Sequence, residues 1–131
     1  MELQKSLSIL IIDDSEVILD MLSQLLKENS AVNRIICVNS AFDGLWKIEE
    51  CTPDIVILDI NLPVMSGIQV LRRVRMMQVV QPVIIMLTNN TMTRYKEECL
   101  NIGADYFLDK SRDFMKIQEI INNSGVEGLI I

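Results

Sequence analysis

Histidine is missing from all 131 residues. That absence excludes Ser-His-Asp and Cys-His catalytic arrangements, imidazole metal ligation and any role as a phosphohistidine donor. Cysteine is scarce and odd in number: Cys37, Cys51 and Cys99. With no C-x-x-C pair, neither a disulfide framework nor a thiolate zinc site is suggested, and buried free thiols in a reducing compartment are expected. Basic residues are outnumbered, 12 against 18 acidic, giving a net charge of -6 and a pI of about 4.6. Such a surface repels nucleic acid and anionic membranes unless its cations gather on one face. The densest basic group, Arg72, Arg73 and Arg75, reads as the solvated side of a helix. Long apolar runs are lacking as well, because Ser6 to Ile12 stops at Asp13-Asp14. A cytoplasmic chain is expected, with neither membrane nor nucleic acid as a direct partner.

What remains is ordinary globular material, half hydrophobic and 23% charged. One domain spanning 1–131 is expected, with a core at about 7–122 and a tail, 123–131, of open role. Strand-like apolar runs alternate five times with helix-length segments. Ile9 to Ile12 precedes a helical stripe of Val17, Ile18, Met21, Leu22, Leu25 and Leu26, whose start Asp14 or Ser15 can cap. Arg34 to Val38 precedes a helix opened by Ser40 and Asp43. Ile55 to Asp59 precedes one opened by a Ser66/Gln69 capping box. Val83 to Leu87 precedes Thr91 to Ile102, with Gly103 as C-cap, and Tyr106 to Leu108 precedes Phe114 to Ile121. Continuous apolar strands are expected to be covered on both faces, as in a parallel sheet wrapped by helices, with ligands at the strands' carboxyl ends.

Four of the five strand ends carry chemistry: Asp13-Asp14, Asp59, Thr88 and Lys110. If strands one and three are neighbours, three carboxylates meet and repel, and a hard divalent cation removes the conflict while keeping positions for phosphate oxygens. Asp59 is then a carboxylate nucleophile that accepts a phosphoryl group. The Lys110 ammonium suits the charge on the transferred group, and the Thr88 hydroxyl is a donor to a phosphate oxygen.

This ordered set, together with Pro63 and Gly67 after Asp59 and with Gly103-Ala104-Asp105, resembles the response-regulator receiver domain of two-component signalling from about Leu7 to Ile121. The resemblance implies a doubly wound, flavodoxin-like α/β sandwich: a five-stranded parallel sheet in order 2-1-3-4-5, flanked by five helices. It implies Mg2+ or Mn2+ held by Asp14, Asp59 and the backbone carbonyl of Asn61, with Asp13 assisting through water. It implies a phosphoryl donor in a sensor histidine kinase or phosphotransfer protein, contacted through helix one near Glu16, Asp20 and Gln24. Thr88 and Phe107 would be the switch pair, altering the face of helix four, strand five and helix five. That face would serve an effector of unknown identity or phosphorylation-dependent homodimerisation. No substrate turnover beyond its own phosphorylation and dephosphorylation is implied, so the chain is not expected to be an enzyme.

Three departures from the family pattern stand out. Ser111 follows Lys110 where the family has proline, so a trans bond and a different loop path are expected. Asn89 replaces a small residue after Thr88, and Phe107 lacks a tyrosine hydroxyl. Ser111 and Asn89 keep open an alternative, a receiver acting as an interaction module without phosphorylation. A haloacid dehalogenase-type phosphatase would need D-x-D at the first strand's end, where Ser15 stands instead. No effector domain follows within these residues, which leaves both a stand-alone receiver and a piece of a longer regulator open.

Overall fold

The computed structural model describes residues 6–130, with side chains through residue 124. Five strands, β1 (Leu7–Ile12), β2 (Val32–Val38), β3 (Ile55–Leu58), β4 (Val83–Thr88) and β5 (Tyr106–Asp109), alternate with five helices. The helices are α1 (Glu16–Lys27), α2 (Ala41–Cys51), α3 (Gly67–Met76), α4 (Thr93–Ile102) and α5 (Lys116–Ile130). All strand pairs are parallel, in the order β2-β1-β3-β4-β5. Parallel neighbours require crossovers, which α1 to α4 supply while α5 follows the last strand and packs on the sheet.

Local sequence starts three of the helices where the fold needs them, whereas α4 begins after Met92 with no side-chain cap. Ser15, not Asp14, caps α1 by accepting the Ile18 N–H. Ser40 caps α2 through the Asp43 N–H. Ser66 and Gln69 form a reciprocal capping box on α3. The chain leaves α4 through Gly103 at φ 126°, a conformation that an L side chain resists. Apolar side chains fill two layers, one on each face of the sheet. Leu10, Ile12, Val56, Leu58, Ile84 and Met86 point to one, and Ile9, Ile11, Ile55, Ile57, Ile85 and Leu87 to the other. All twelve are at most 2% exposed, and burying each contributes roughly 1.5–3 kcal/mol.

Several expectations are corrected. The strand at 34–38 is not sealed on both faces: β2 is an edge strand with Asn33, Arg34 and Cys37 exposed, because its apolar run has a neighbour on one side only. Of the three thiols only Cys99 is buried, while Cys37 is exposed and Cys51 half-buried. Arg75 is not a solvated charge, since its side chain is 17% exposed and fully engaged by neighbouring elements. The last helix does not stop at Ile121 but runs to Ile130, taking up most of the tail. Whether the tail's apolar end docks on the body lies outside the described side chains.

Candidate functional site

The site follows from strand register. β1 and β3 pair as Ile12 with Leu58, and the next N–H, that of Asp59, donates to the Ile12 carbonyl at 3.1 Å. Asp13 and Asp59 therefore leave adjacent strands side by side. β4 and β5 pair as Thr88 with Asp109, and the Lys110 N–H donates to the Thr88 carbonyl at 3.0 Å. That extension throws the Lys110 side chain across the sheet's end. Its Nζ lies 2.7 Å from Asp13 Oδ2 and 3.0 Å from Asp59 Oδ2.

The wall beyond Asp59 is built by the turn after β3. The Gly67 N–H donates to the Ile60 carbonyl at 2.7 Å, and a Cβ on Gly67 would collide with the Asp59 carbonyl. Glycine is thus required here by a close approach of two backbones. Ile60 and Met65 anchor the turn in the core, while Val64 stands 93% exposed at φ 71°, a left-handed conformation costly for a β-branched residue.

Carboxylate oxygens of Asp13, Asp14 and Asp59 all lie within 4.8 Å of one another. Asp13 and Asp59 are buried, whereas Asp14 faces solvent. Asp13 also accepts the Ser15 N–H at 2.9 Å, and Asp59 the Asn61 N–H at 3.4 Å. Burial pushes the Asp13 carboxyl above its ordinary value and the Asp59 charge adds to this, although Lys110 and the Ser15 N–H pull it back. Burial acts against the Lys110 ammonium, yet its two carboxylate partners outweigh that and hold its pKa above the usual lysine value. One ammonium thus pairs with two of the three acids, which leaves the cluster negative. The donor set is all hard oxygen with one member open to solvent, and that chemistry fits magnesium or manganese rather than a thiolate-seeking metal.

The other expected residues fall as follows. Thr88 is fully buried, and its Oγ1 accepts the Asn90 N–H at 3.0 Å, so its hydroxyl proton remains free to donate. Asn61 and Asn89 are exposed on the rim. Phe107 is half-buried against the core layer that contains Met86, its partner in register. Among the described residues there is no cis peptide, so Lys110 enters its loop through a trans bond. Two residues absent from the expected set hold that loop. Asp113, 6% exposed, accepts the Asp109 N–H, and Asp109 accepts from Ser111. Their signal in the sequence was a second and third acid flanking Lys110 just before a helix, a pattern easily taken for simple capping.

The chain belongs to the response regulator receiver domain family, whose sequence profile matches residues 9–122, and it is a signalling domain of two-component systems. It is 34% identical over 119 residues to a protein-glutamate methylesterase/protein-glutamine glutaminase of Bacillus subtilis, covering 85% of this chain and 32% of that protein. The chain spans about a third of the length of the curated relatives of this kind. Among solved structures it resembles a LuxR-family DNA-binding response regulator from Staphylococcus aureus, with 27% identity and a TM-score of 0.82 over 92% of this chain and 99% of that one. It shares the fold of the response regulator domain of Thermotoga maritima CheB, with a TM-score of 0.78 at 20% identity, over 95% of this chain and 97% of that one. No helix among the described residues is long and apolar enough to cross a membrane.

Proposed function

We propose that Asp59 is the phosphoacceptor of a Mg2+-dependent receiver switch. The observation that carries this reading is the meeting of Asp13, Asp14, Asp59 and Lys110 at one end of the sheet. An Asp59 carboxylate oxygen attacks the donor's phosphorus. A new O–P bond forms as the donor's P–N or P–O bond breaks, and the leaving group departs with the bonding pair. Asp13, Asp14, Asp59 and the Asn61 carbonyl would hold magnesium or manganese, which when bound supplies positive charge to the phosphoryl oxygens. Lys110 is tethered within reach of Asp59 and turns its ammonium to the incoming group. Thr88 donates its free hydroxyl proton to a phosphate oxygen.

The readout follows from register. Phe107 lies two residues before Asp109, which is paired with Thr88, so Thr88 and Phe107 face the same layer. A shift of Thr88 toward phosphate opens space that half-buried Phe107 fills, and the α4-β5-α5 face changes shape. The donor is proposed to be a histidine kinase or phosphotransfer protein meeting exposed Glu16, Asp20 and Gln24 on α1. An effector, or a second phosphorylated copy, would read the altered face.

Incubating the protein with Mg2+ and a small acyl phosphate, then weighing it intact, tests the reading. One phosphoryl adduct is expected, and none in Asp59→Asn. No adduct with any donor would point to a phosphorylation-independent interaction module, and repeated turnover of phosphate esters to a phosphatase.

A further inference from the structure

The loop after β5 lacks the proline that the family's pattern places beside its lysine, and the structure shows what stands in its place. Lys110 is flanked on both sides by main-chain groups that acidic side chains hold. Before it, the Asp109 N–H donates to Asp113 Oδ2 at 3.0 Å, and the Asp113 N–H returns to the Asp109 carbonyl at 2.8 Å. After it, Asp109 Oδ1 accepts both the Ser111 N–H at 2.8 Å and the Ser111 hydroxyl at 2.7 Å. Lys110's own N–H is spent on the Thr88 carbonyl. Asp113 is in turn pinned by Lys116 at 3.3 Å on the first turn of α5.

We propose that Asp109, Ser111 and Asp113 form a hydrogen-bonded lock that positions Lys110 at the acidic site. The inference rests on the reading of Lys110 as the ammonium that faces the phosphoryl group. A lysine stem has four rotatable carbons and loses its reach if its Cα drifts. Three consecutive backbone N–H groups are anchored, those of Asp109 and Ser111 to carboxylates and that of Lys110 to the Thr88 carbonyl, and this removes the drift, the bonds to carboxylates being the stronger ones. The lock thus lets a serine follow the lysine without loosening it. Asp109, Ser111 and Asp113 are positioning residues, since none of them touches Asp59.

The test is chemical protection of Lys110 itself. In the intact protein its side chain is 8% exposed and doubly paired, so a mild amine-reactive ester should label it slowly, as read by peptide mass spectrometry. Labelling of Lys110 should rise on the order of tenfold in Ser111→Ala and further in Asp113→Ala, as expected for the loss of hydrogen bonds to a charged acceptor. Asp113→Asn retains an acceptor for the Asp109 N–H and should restore most of the protection. Met115→Ala, on the same loop but 66% exposed and outside the lock, should change nothing. Labelling of Lys47, which is 34% exposed and paired with Glu50 on α2 away from the lock, reports general loosening within each variant. Ser111→Ala, which removes a single hydroxyl, serves if Asp113→Ala does not fold.

Unchanged Lys110 protection in folded Ser111→Ala and Asp113→Ala would overturn the lock, as would an equal rise in Met115→Ala. The phosphoryl reading is scored separately. Rates of Asp59 adduct formation should fall in the same order as protection. Absence of any adduct in the unaltered protein would sink that reading, while labelling still decides the lock.

Discussion

Each end of the sheet is held by one half-hidden cation, and the two cations do opposite things. At the amino end Arg75 donates to the Gly103 carbonyl (2.9 Å), the Pro82 carbonyl (2.9 Å), Gln81 Oε1 (2.7 Å) and Asp105 Oδ2 (3.0 Å). It meets one acid, which is further satisfied by the Ile84 N–H, and three neutral acceptors. The account there is closed: one positive charge, one negative charge, and a planar fork matched to fixed acceptors. At the carboxyl end three carboxylates lie within 4.8 Å of one another, and one ammonium pairs with two of them. Two like charges at about 4 Å repel by about 4 kcal/mol at an effective dielectric near 20. That excess is what the proposed divalent cation and phosphoryl group would use, so charge is balanced at one end of the sheet and left unbalanced at the other.

The contrast breaks most visibly at Lys110. Lys110→Met should slow formation of the Asp59 adduct on the order of a hundredfold, the scale of one lost transition-state donor. The same change should tighten Mg2+ binding in calorimetry, since the ammonium no longer competes for Asp13 and Asp59. A merely structural lysine would lose both together. Arg75→Ala should cost roughly 2–3 kcal/mol in denaturant melts, because it strands several acceptors at once. Arg75→Lys should recover less than half of that loss and leave adduct formation intact, since a point charge cannot span four acceptors.

Asp13 sharpens the comparison through pH. Its folded-state pKa is raised above 3.8, so the native state binds more protons than the unfolded chain between 3.8 and that raised value. Stability from this group therefore increases as pH falls through the window and is lowest where Asp13 is charged. Asp13→Asn should melt higher than the unaltered protein at pH 7, and the difference should shrink toward pH 3.8. Lys110 has the same pH slope in a higher window: its contribution is complete below 10.5 and is lost as pH rises through its raised folded value. The smallest effect is expected at Val64, where strain sits in the turn beside the site. Val64→Asn, which tolerates the left-handed conformation, should stabilise by about 1 kcal/mol in thermal melts.

Reading the chain alone worked where a residue's position along its own strand decided its place at the sheet's end. Asp13, Asp59, Thr88 and Lys110 were legible because each ends an apolar run, and an apolar run that stops at a polar residue stops at the sheet's rim. It failed where partners arrive from elsewhere. Arg75 looks like its neighbours Arg72 and Arg73, and its acceptors lie up to 30 residues away, half of them main-chain carbonyls that leave no mark on the sequence. β2 carries Ile35-Ile36 and Val38 just as a central strand would, and only its outer place in the sheet exposes Cys37. Asp113 reads as a helix cap, yet it holds the loop of a lysine three residues earlier.

By itself the order of residues determined the alternating α/β plan, the helix starts at Ser15, Ser40 and Ser66, and the identity of the acids at the strand tips. Those properties depend on neighbours within a few positions, where hydrogen bonding and periodicity are local. The tertiary structure alone decided that Asp13 and Asp59 share one ammonium and that Arg75 clamps four groups. Each of these is set by the register and packing of segments distant in the chain, and electrostatic cost depends on distance through space rather than along the backbone.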